Sequence, residues 1–352
     1  MISTSQQLQQ FLDNCTKIDG QKICAIDTEA DSLHRYKESL CLIQFTAGGE
    51  CVLIDPLAIE DLSPLDHYLM DATVWMHGAD YDMTMLKREF ERLPKTVYDT
   101  QIGARLLGVK KFGLGNLVEH YFDIVLSKSS QKADWGKRPL SEKMIDYALN
   151  DVRYLLEMGD MIVAGLKEKG RYDWFTESCE TAQSKVAERD DAKDEQWRIS
   201  GSGKLDSYGL AFLRGLWNWR DKEAEAWDRP SFMVAPNRQL IEWSIALSEG
   251  RRVDLPNHFR SDRVKRYKEM LATIEAMPKE EWPARPVIKR RKRDREFDEK
   301  VDSLISTRNK TAEDLDIDGS LIASRAVIEM IAANEASPED LLMNWQRQLL
   351  NL

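Results

Sequence analysis

Two acidic residues, Asp27 and Glu29, close an apolar run that begins at Ile23. Polar residues precede the run, and this pattern is typical of a buried β-strand. Because side chains alternate across a strand, the two carboxylates share one face. Like charges so placed repel and are costly to hold away from water, whereas a hard cation such as Mg²⁺ binds through carboxylate oxygens. The pair alone is equally compatible with two solvated acids at a strand end, so the interpretation depends on acids further along the chain.

A second acidic position lies in the segment 77–82, where a fourth predicted strand gives way to a helix. In open α/β sheets, functional groups gather at the carboxyl ends of strands. If the first and fourth strands are neighbours, Asp82 approaches Asp27 and Glu29. Asp80 competes for the same role, and either acid taken alone is more often a first-turn charge favoured by the helix dipole.

Tyr147 and Asp151 provide a third position, inside a predicted long helix from Ser141 to about Lys169. Residues four apart share a face of a helix, and apolar neighbours indicate that this helix packs against the sheet. A carboxylate near such a buried face needs a partner, and a metal ion would serve. An exposed aspartate beside a core tyrosine is the ordinary alternative.

The elements that must position these residues follow from the hydrophobic periodicity. Helical spacing is found between the later strands and after the last one. A three-stranded meander followed by alternating helices and strands is typical of an α/β domain with a mixed five-stranded sheet, and the pattern places the end of this domain near residue 175. The predicted strands are 23–29, 39–45, 51–55, 73–77 and 96–99, with a hairpin turn at Gly48-Gly49 between the second and the third.

The remainder of the chain is predicted to be all helical. A polar stretch at 176–204 ends in a Gly/Ser cluster and is interpreted as a linker. Helical periodicity resumes at Leu205, and prolines near residue 283 mark another boundary. After a first domain over 1–175, we therefore predict one helical domain over 205–282 and a second, more divergent one over 285–352.

The composition is that of an ordinary globular protein, with 42% hydrophobic and 31% charged residues among 352. No apolar run approaches the ~18 residues of a membrane span, and the N-terminus lacks the features of a secretory signal. Five scattered cysteines favour reduced thiols and hence a cytoplasmic location. The net charge of −10 argues against a protein that coats nucleic acid non-specifically, but it is compatible with an enzyme that acts on one end of a strand.

Together the four acids and the tyrosine, in this order and on these elements, resemble the DEDD exonucleases of the ribonuclease-H-like fold. They are similar to the subgroup whose last motif has tyrosine, and the resemblance is greatest to the bacterial ribonuclease D family. It extends through 113–121, 128–140 and 146–155 and so covers nearly all of the first domain. The helical region resembles the HRDC module in 210–220 and 228–237, and the second helical segment matches this module less well.

The resemblance implies a metal-dependent 3′-5′ exonuclease that hydrolyses phosphodiesters and releases nucleoside 5′-monophosphates with two divalent metal ions, Mg²⁺ or Mn²⁺. Two such ions can clamp the attacking and leaving oxygens and generate hydroxide near neutral pH. The motifs imply that Asp27, Glu29, Asp82 and Asp151 are the metal ligands. Tyr147, with an unperturbed pKa of about 10, is expected to position water rather than to act as a base.

We further expect four residues to contact the terminal nucleotides, by stacking or by polar contacts to sugar and phosphate, namely His34, Tyr36, Gln131 and Trp135. The first two follow the first motif closely, and the other two lie in a polar loop before the third. For Trp135 a core position is an equally good interpretation. The basic run 289–293 is a candidate phosphate contact, although such a run is more often a solvated linker.

The expected partner is RNA with a single-stranded 3′ end, in particular tRNA precursors and other small stable RNAs, bound by a monomer that has no membrane contact. Two alternatives stay open. One is a DNA-directed 3′-5′ exonuclease, since the fold and the four acids are shared, and the other is a catalytically silent RNA-binding scaffold. Recognition of the 2′-hydroxyl distinguishes RNA from DNA, and no residue in the sequence marks it.

Overall fold

The computed structural model describes residues 1–15, 20–127, 129–189, 195–285 and 294–352. The basic run 289–293 lies outside these ranges. Within the chain two compact units are distinguished. The first comprises 1–30, 40–189 and 291–352, and the second comprises 31–39 and 190–290.

A mixed five-stranded sheet forms the centre of the first unit, as the sequence predicted. The strand order is β3-β2-β1-β4-β5. β1 pairs antiparallel with β2 and β2 with β3, whereas β1 and β4, and then β4 and β5, run parallel. The first and fourth strands are therefore neighbours, which is the condition under which Asp82 was expected to approach Asp27 and Glu29. The strands are β1 Lys22–Ala30, β2 Leu40–Ala47, β3 Glu50–Ile54, β4 Ala72–Met76 and β5 Thr96–Asp99.

Helices cover both faces of this sheet. β2 is buried at every residue, as expected for a strand with a layer on each side. α1, α2 and α3 form one core with Ile26 and Phe45, while α6 and α7 pack on the other face, α6 against β1 to β3 and α7 against β1 and β4. The helices before residue 190 are α1 Ser5–Asn14, α2 Ser63–Leu69, α3 Asp80–Phe90, α4 Thr100–Leu106, α5 Leu114–Phe122, α6 Glu142–Arg153, α7 Leu155–Glu168 and α8 Tyr172–Ala187.

The long helix predicted from residue 141 to 169 is divided at Tyr154. Its predicted start is confirmed, since the Ser141 side chain accepts a hydrogen bond from the Met144 amide. α7 then passes so close to β4 that a Cβ on Gly159 would lie 2.9 Å from the Trp75 indole. The sequence conceals the break because apolar residues recur at helical spacing in both helices.

The predicted linker over 176–204 is wrong in its first part, because residues up to Ala187 belong to α8. This helix buries Phe175, Cys179 and Val186 in the hydrophobic cores of the first unit, to which it belongs. Three apolar residues spread over a mostly polar stretch are enough to fix a helix when a core is available to receive them.

The C-terminal helices are also placed differently from the prediction of a separate domain over 285–352. They share a core with α7 and α8. Trp345 stacks on Trp174 with ring centroids 5.1 Å apart, and the Arg171 side chain donates to the Leu315 carbonyl at 2.7 Å. The apolar side chains of these helices are therefore buried within the core of the first unit. They are α13 Arg295–Asp314, α14 Gly319–Ile322, α15 Arg325–Ala332, α16 Pro338–Leu341 and α17 Asn344–Leu350.

The second unit is a helical bundle around α9. Buried Leu210, Leu213 and Leu216 of this helix follow the predicted period and form a core with Trp243. The helices of the unit are α9 Ser207–Trp227, α10 Ser231–Val234, α11 Asn237–Ser248 and α12 Ser261–Glu275. No helix in the described ranges has the length and apolar character needed to span a membrane.

Candidate active site

Three carboxylates meet above the centre of the sheet. Asp27 and Glu29 lie on β1, opposite Gln44 and Leu42 of β2, and their spacing of two residues gives them one face. α6 packs across β1 to β3 on that face. As a result, one carboxylate oxygen each from Asp27, Glu29 and Asp151 lie within 4.8 Å of one another. The strand alternation and the packing of the helix on the sheet, both expected from the sequence, create this cluster.

Asp82 joins the cluster from the first turn of α3. Its Oδ1 accepts hydrogen bonds from the Thr28 amide at 2.9 Å and from the Thr28 hydroxyl at 2.6 Å. The charge of Asp82 raises the pKa of Asp27, Glu29 and Asp151, so the fourth acid lies near the other three. Asp80, the competing residue, is exposed and forms an ion pair with Arg189 at 2.6 Å.

Burial and mutual repulsion dominate the electrostatics of the four acids. Burial, and then the charges of Asp151 and Asp82, raise the pKa of Glu29 to about 8. Burial also raises the pKa of Asp151 to about 7 and that of Asp82 to about 6. For Asp27, burial followed by the three neighbouring carboxylates raises the pKa well above its usual range. Such a group of carboxylates holds protons near neutral pH unless a cation compensates their charge.

Tyr147 is coupled to this cluster through Asp151. Its hydroxyl donates a hydrogen bond to the Asp151 carboxylate, one turn further along α6. Burial and the charges of Asp151, Glu29 and Asp27 raise the pKa of Tyr147 above its ordinary value. The hydroxyl therefore stays protonated at neutral pH and is a hydrogen-bond donor.

Trp135 lies underneath the tyrosine and is 1% exposed. The two ring centroids are 6.1 Å apart. Because Trp135 has no exposed ring face, a nucleotide base cannot stack on it in this structure. Its position is that of a core aromatic residue, which was the alternative interpretation. In this position Trp135 supports the ring of Tyr147.

Arg138 holds the loop that carries Trp135. Its guanidinium donates to both carboxylate oxygens of Asp55, each at 2.7 Å. It also donates to the carbonyls of Cys41 and Trp135, again at 2.7 Å. Sequence reasoning identified neither this residue nor Thr28 as part of the site. A signal existed for Thr28, which stands between the two acids of the first motif.

The structure describes the surroundings of the other three expected substrate contacts. Gln131 is exposed in a turn of the loop. His34 and Tyr36 belong to the segment 31–39 of the second unit. The Tyr36 hydroxyl donates to Asp221 at 2.9 Å, and the His34 carbonyl accepts from Arg229 at 3.2 Å. In the second unit both residues thus contribute bonds that attach their segment to the helical bundle.

Comparison with known proteins agrees with this geometry. Residues 1–167 match the family model of a 3′-5′ exonuclease, so the carboxylate cluster lies in a 3′-5′ exonuclease domain. Ribonuclease D of Zymomonas mobilis is 30% identical over 355 residues, which cover 94% of this chain and 87% of that protein. The chain belongs to the ribonuclease D family.

Two further similarities define how far the relationship extends. Ribonuclease D of Sphingobium indicum is 30% identical over 247 residues, and this match covers 69% of the chain but 63% of that relative's length. The crystal structure of Escherichia coli RNase D superposes with a TM-score of 0.75 at 24% identity, covering 100% of this chain and 96% of that one. The latter similarity shows that the two proteins share a fold.

Proposed function

We propose that this protein is a 3′-5′ exoribonuclease that hydrolyses phosphodiesters from RNA 3′ ends and releases nucleoside 5′-monophosphates. One observation carries the proposal: the oxygens of Asp27, Glu29 and Asp151 converge within 4.8 Å inside an exonuclease domain of the ribonuclease D family. A cluster of half-buried, mutually repelling carboxylates is suited to divalent cations and poorly suited to a purely structural role.

The donor set fits two divalent cations, Mg²⁺ or Mn²⁺. All four side chains offer hard carboxylate oxygens, and the cations would compensate the negative charge that burial, before any repulsion, makes unfavourable at each acid. We propose that Asp27, Glu29 and Asp151 would hold these cations through their convergent oxygens, with Asp82 contributing its neighbouring negative charge. When bound, two such cations stabilise the attacking and the leaving oxygens of an in-line displacement.

The protein's own residues then orient the reactants. Thr28, through its two hydrogen bonds to Asp82, fixes the orientation of that carboxylate. The Tyr147 hydroxyl donates its one proton to Asp151, and its oxygen would accept a hydrogen bond from the attacking water and so position it. Because burial raises the pKa of Tyr147, proton abstraction by its phenolate does not contribute at neutral pH. Trp135 and Arg138 fix the position of the tyrosine from below.

For the substrate we propose RNA with a single-stranded 3′ end, tRNA precursors and other small stable RNAs among them. The helical segment 205–282, which resembles an HRDC module, would hold the body of the RNA. Exposed Gln131 and the segment that carries His34 and Tyr36 are the proposed contacts to terminal nucleotides. Membership in the ribonuclease D family supports this choice.

We also propose that the protein acts as a monomer in the cytoplasm. No disulfide links the five cysteines, all of which lie within the described ranges, and this supports a reducing compartment. The apolar stripes of the described helices are buried within their own units, which supports a monomer.

The test is degradation of a 3′-extended tRNA beside a single-stranded DNA of matched sequence, with Mg²⁺ or Mn²⁺ and then with a chelator. The Asp27→Ala variant should lose activity, whereas Asp80→Asn is the matched control, because Asp80 is an exposed acid on the same helix as Asp82. We expect metal-dependent shortening of the RNA from its 3′ end. A preference for DNA would indicate a DNA-directed exonuclease, and no metal-dependent cleavage of either would indicate a silent scaffold.

A further inference from the structure

Gln44 is a polar residue buried in the middle of β2. Its side chain is 0% exposed. In the part of the chain that the structure describes, neither its Oε1 nor its Nε2 has a hydrogen-bond partner. A buried carboxamide without partners costs folding free energy, so its presence in a core strand calls for a physical reason.

The strand register places this carboxamide next to the carboxylate cluster. Gln44 lies directly opposite Asp27 in the antiparallel pair of β2 and β1. Residues so paired point to the same face of the sheet, with their Cβ atoms about 5 Å apart. A glutamine side chain can span that distance and reach the carboxylate of its neighbour.

The covering helix encloses the same space from above. Thr46, two residues along β2, directs its hydroxyl to the Val152 carbonyl of α6 at 3.4 Å. Leu42, two residues the other way, shares a cluster with Ala148 of α6. Gln44 stands between them on this face, and therefore lies under the turn of α6 that carries Asp151.

We propose that Gln44 is a positioning residue whose Nε2 donates a hydrogen bond to the Asp27 carboxylate when that carboxylate holds divalent cations, thereby fixing its orientation. This inference rests on the proposed function. A hydrogen bond to an ionised acceptor is stronger than one between neutral groups, so the ionised site supplies the partner that the carboxamide lacks. The uncharged amide donates a hydrogen bond without the positive charge of a lysine, which would compete with the cations. It also lacks the negative charge of a glutamate, which would add to the repulsion.

The test replaces the carboxamide by an apolar chain of similar length, Gln44→Met, with Gln44→Leu as a second variant. Two quantities are measured on the full chain, the unfolding temperature in chelator and the dissociation constant for Mn²⁺ by titration calorimetry. We expect a higher unfolding temperature without metal, because the unpartnered amide is gone. We expect Mn²⁺ binding to weaken about 10- to 100-fold, as for other groups that orient metal ligands.

Kinetics on the 3′-extended RNA provide a readout that simple core packing would not change. The variants should lose kcat at subsaturating Mn²⁺ while KM for RNA is unchanged, and excess Mn²⁺ should restore part of kcat. Thr46→Val is the matched control, because it removes a neighbouring buried hydroxyl of β2 that bonds to α6 and not to an acid. This control should leave the Mn²⁺ dissociation constant at the wild-type value.

Three results would overturn the inference. A higher unfolding temperature with unchanged Mn²⁺ affinity would make Gln44 a packing defect only. A lower unfolding temperature in both variants would mean that the carboxamide has a structural partner. If the wild-type protein itself fails to bind Mn²⁺, the proposed function falls and this inference falls with it, whereas normal binding by wild type and variants alike rejects this inference alone.

Discussion

Asp151→Asn should stabilise the protein in the absence of metal while abolishing its activity. Burial raises the pKa of Asp151 from 3.8 to about 7, a shift of roughly three units, and each unit corresponds to about 1.4 kcal/mol. Ionising this group at pH 8 in the metal-free protein therefore costs on the order of a few kcal/mol. The amide of the variant carries no charge and can still accept the hydrogen bond of Tyr147, so that cost disappears.

The direction in which stability changes with pH follows from proton binding in the folded and unfolded states. Glu29, Asp82 and Asp151 have folded pKa values of about 8, 6 and 7, above their unfolded values of about 4. The folded protein thus binds more protons between these limits, and stability is lost as the pH rises through the folded values. The unfolding temperature in chelator should fall between pH 5 and pH 9, and it should fall less in Asp151→Asn.

The assay is thermal unfolding in EDTA at pH 5, 7 and 9, followed by addition of Mn²⁺ at pH 8. At pH 8 without metal, the variant should unfold on the order of 5 °C above wild type. Mn²⁺ should stabilise wild type by mass action and the variant much less. Asp80→Asn should unfold at the wild-type temperature in EDTA and should be stabilised by Mn²⁺ as wild type is, since Asp80 is exposed and paired with Arg189. A variant equal to or less stable than wild type in EDTA at pH 8 would refute this electrostatic account.

Three other substitutions test the supporting contacts. Thr28→Val removes the hydroxyl that bonds to Asp82 at 2.6 Å and should cost about 1–3 kcal/mol in chemical denaturation, and a neutral effect would mean that the amide bond suffices. Tyr147→Phe should lower kcat about 10²-fold with KM for RNA unchanged in steady-state assays, and retained kcat would remove the tyrosine from the mechanism. Arg138→Met leaves the buried carboxylate of Asp55 unpaired and should cost about 3 kcal/mol of unfolding free energy, which Arg138→Lys should restore only in part. Full stability of the methionine variant would show that the loop is held by other contacts.

The sequence predicts those parts of the carboxylate cluster whose geometry depends only on residue spacing within one strand or one helix. A spacing of two residues on a strand places Asp27 and Glu29 on one face. A spacing of four residues on a helix places Tyr147 and Asp151 on one face. The mixed character of the sheet then follows from a meander and alternating elements, whereas the pairing of β1 with β4 comes from the structure. Each of these rules acts within one element or between neighbouring elements, where the pattern of apolar residues is a direct record of burial.

Sequence separates Asp80 from Asp82 only weakly. Both lie in the first turn of a helix, and the helix dipole favours both. The structure distinguishes them through partners far along the chain, since Thr28 bonds to Asp82 and Arg189 pairs with Asp80. Such a pairing depends on tertiary contacts that no local pattern contains.

The same limit applies to the helical part of the chain. An apolar stripe indicates that a helix face is buried, but it does not say against which surface. The stacking of Trp345 on Trp174 and the bond from Arg171 to Leu315 therefore had no counterpart in the prediction. Likewise, the burial of Trp135 under Tyr147 depends on the contacts of Arg138 with Asp55 and with two carbonyls.

The central claim is that Asp27, Glu29 and Asp151 form the divalent-metal site of an exonuclease. The most direct measurement is anomalous diffraction from crystals grown with Mn²⁺ and an RNA 3′ end bearing a non-hydrolysable terminal linkage. We predict anomalous peaks at the convergent oxygens of these three residues, lost in crystals of Asp27→Asn. Mn²⁺ bound at other residues, in a protein that still shortens RNA only when metal is present, would contradict the account.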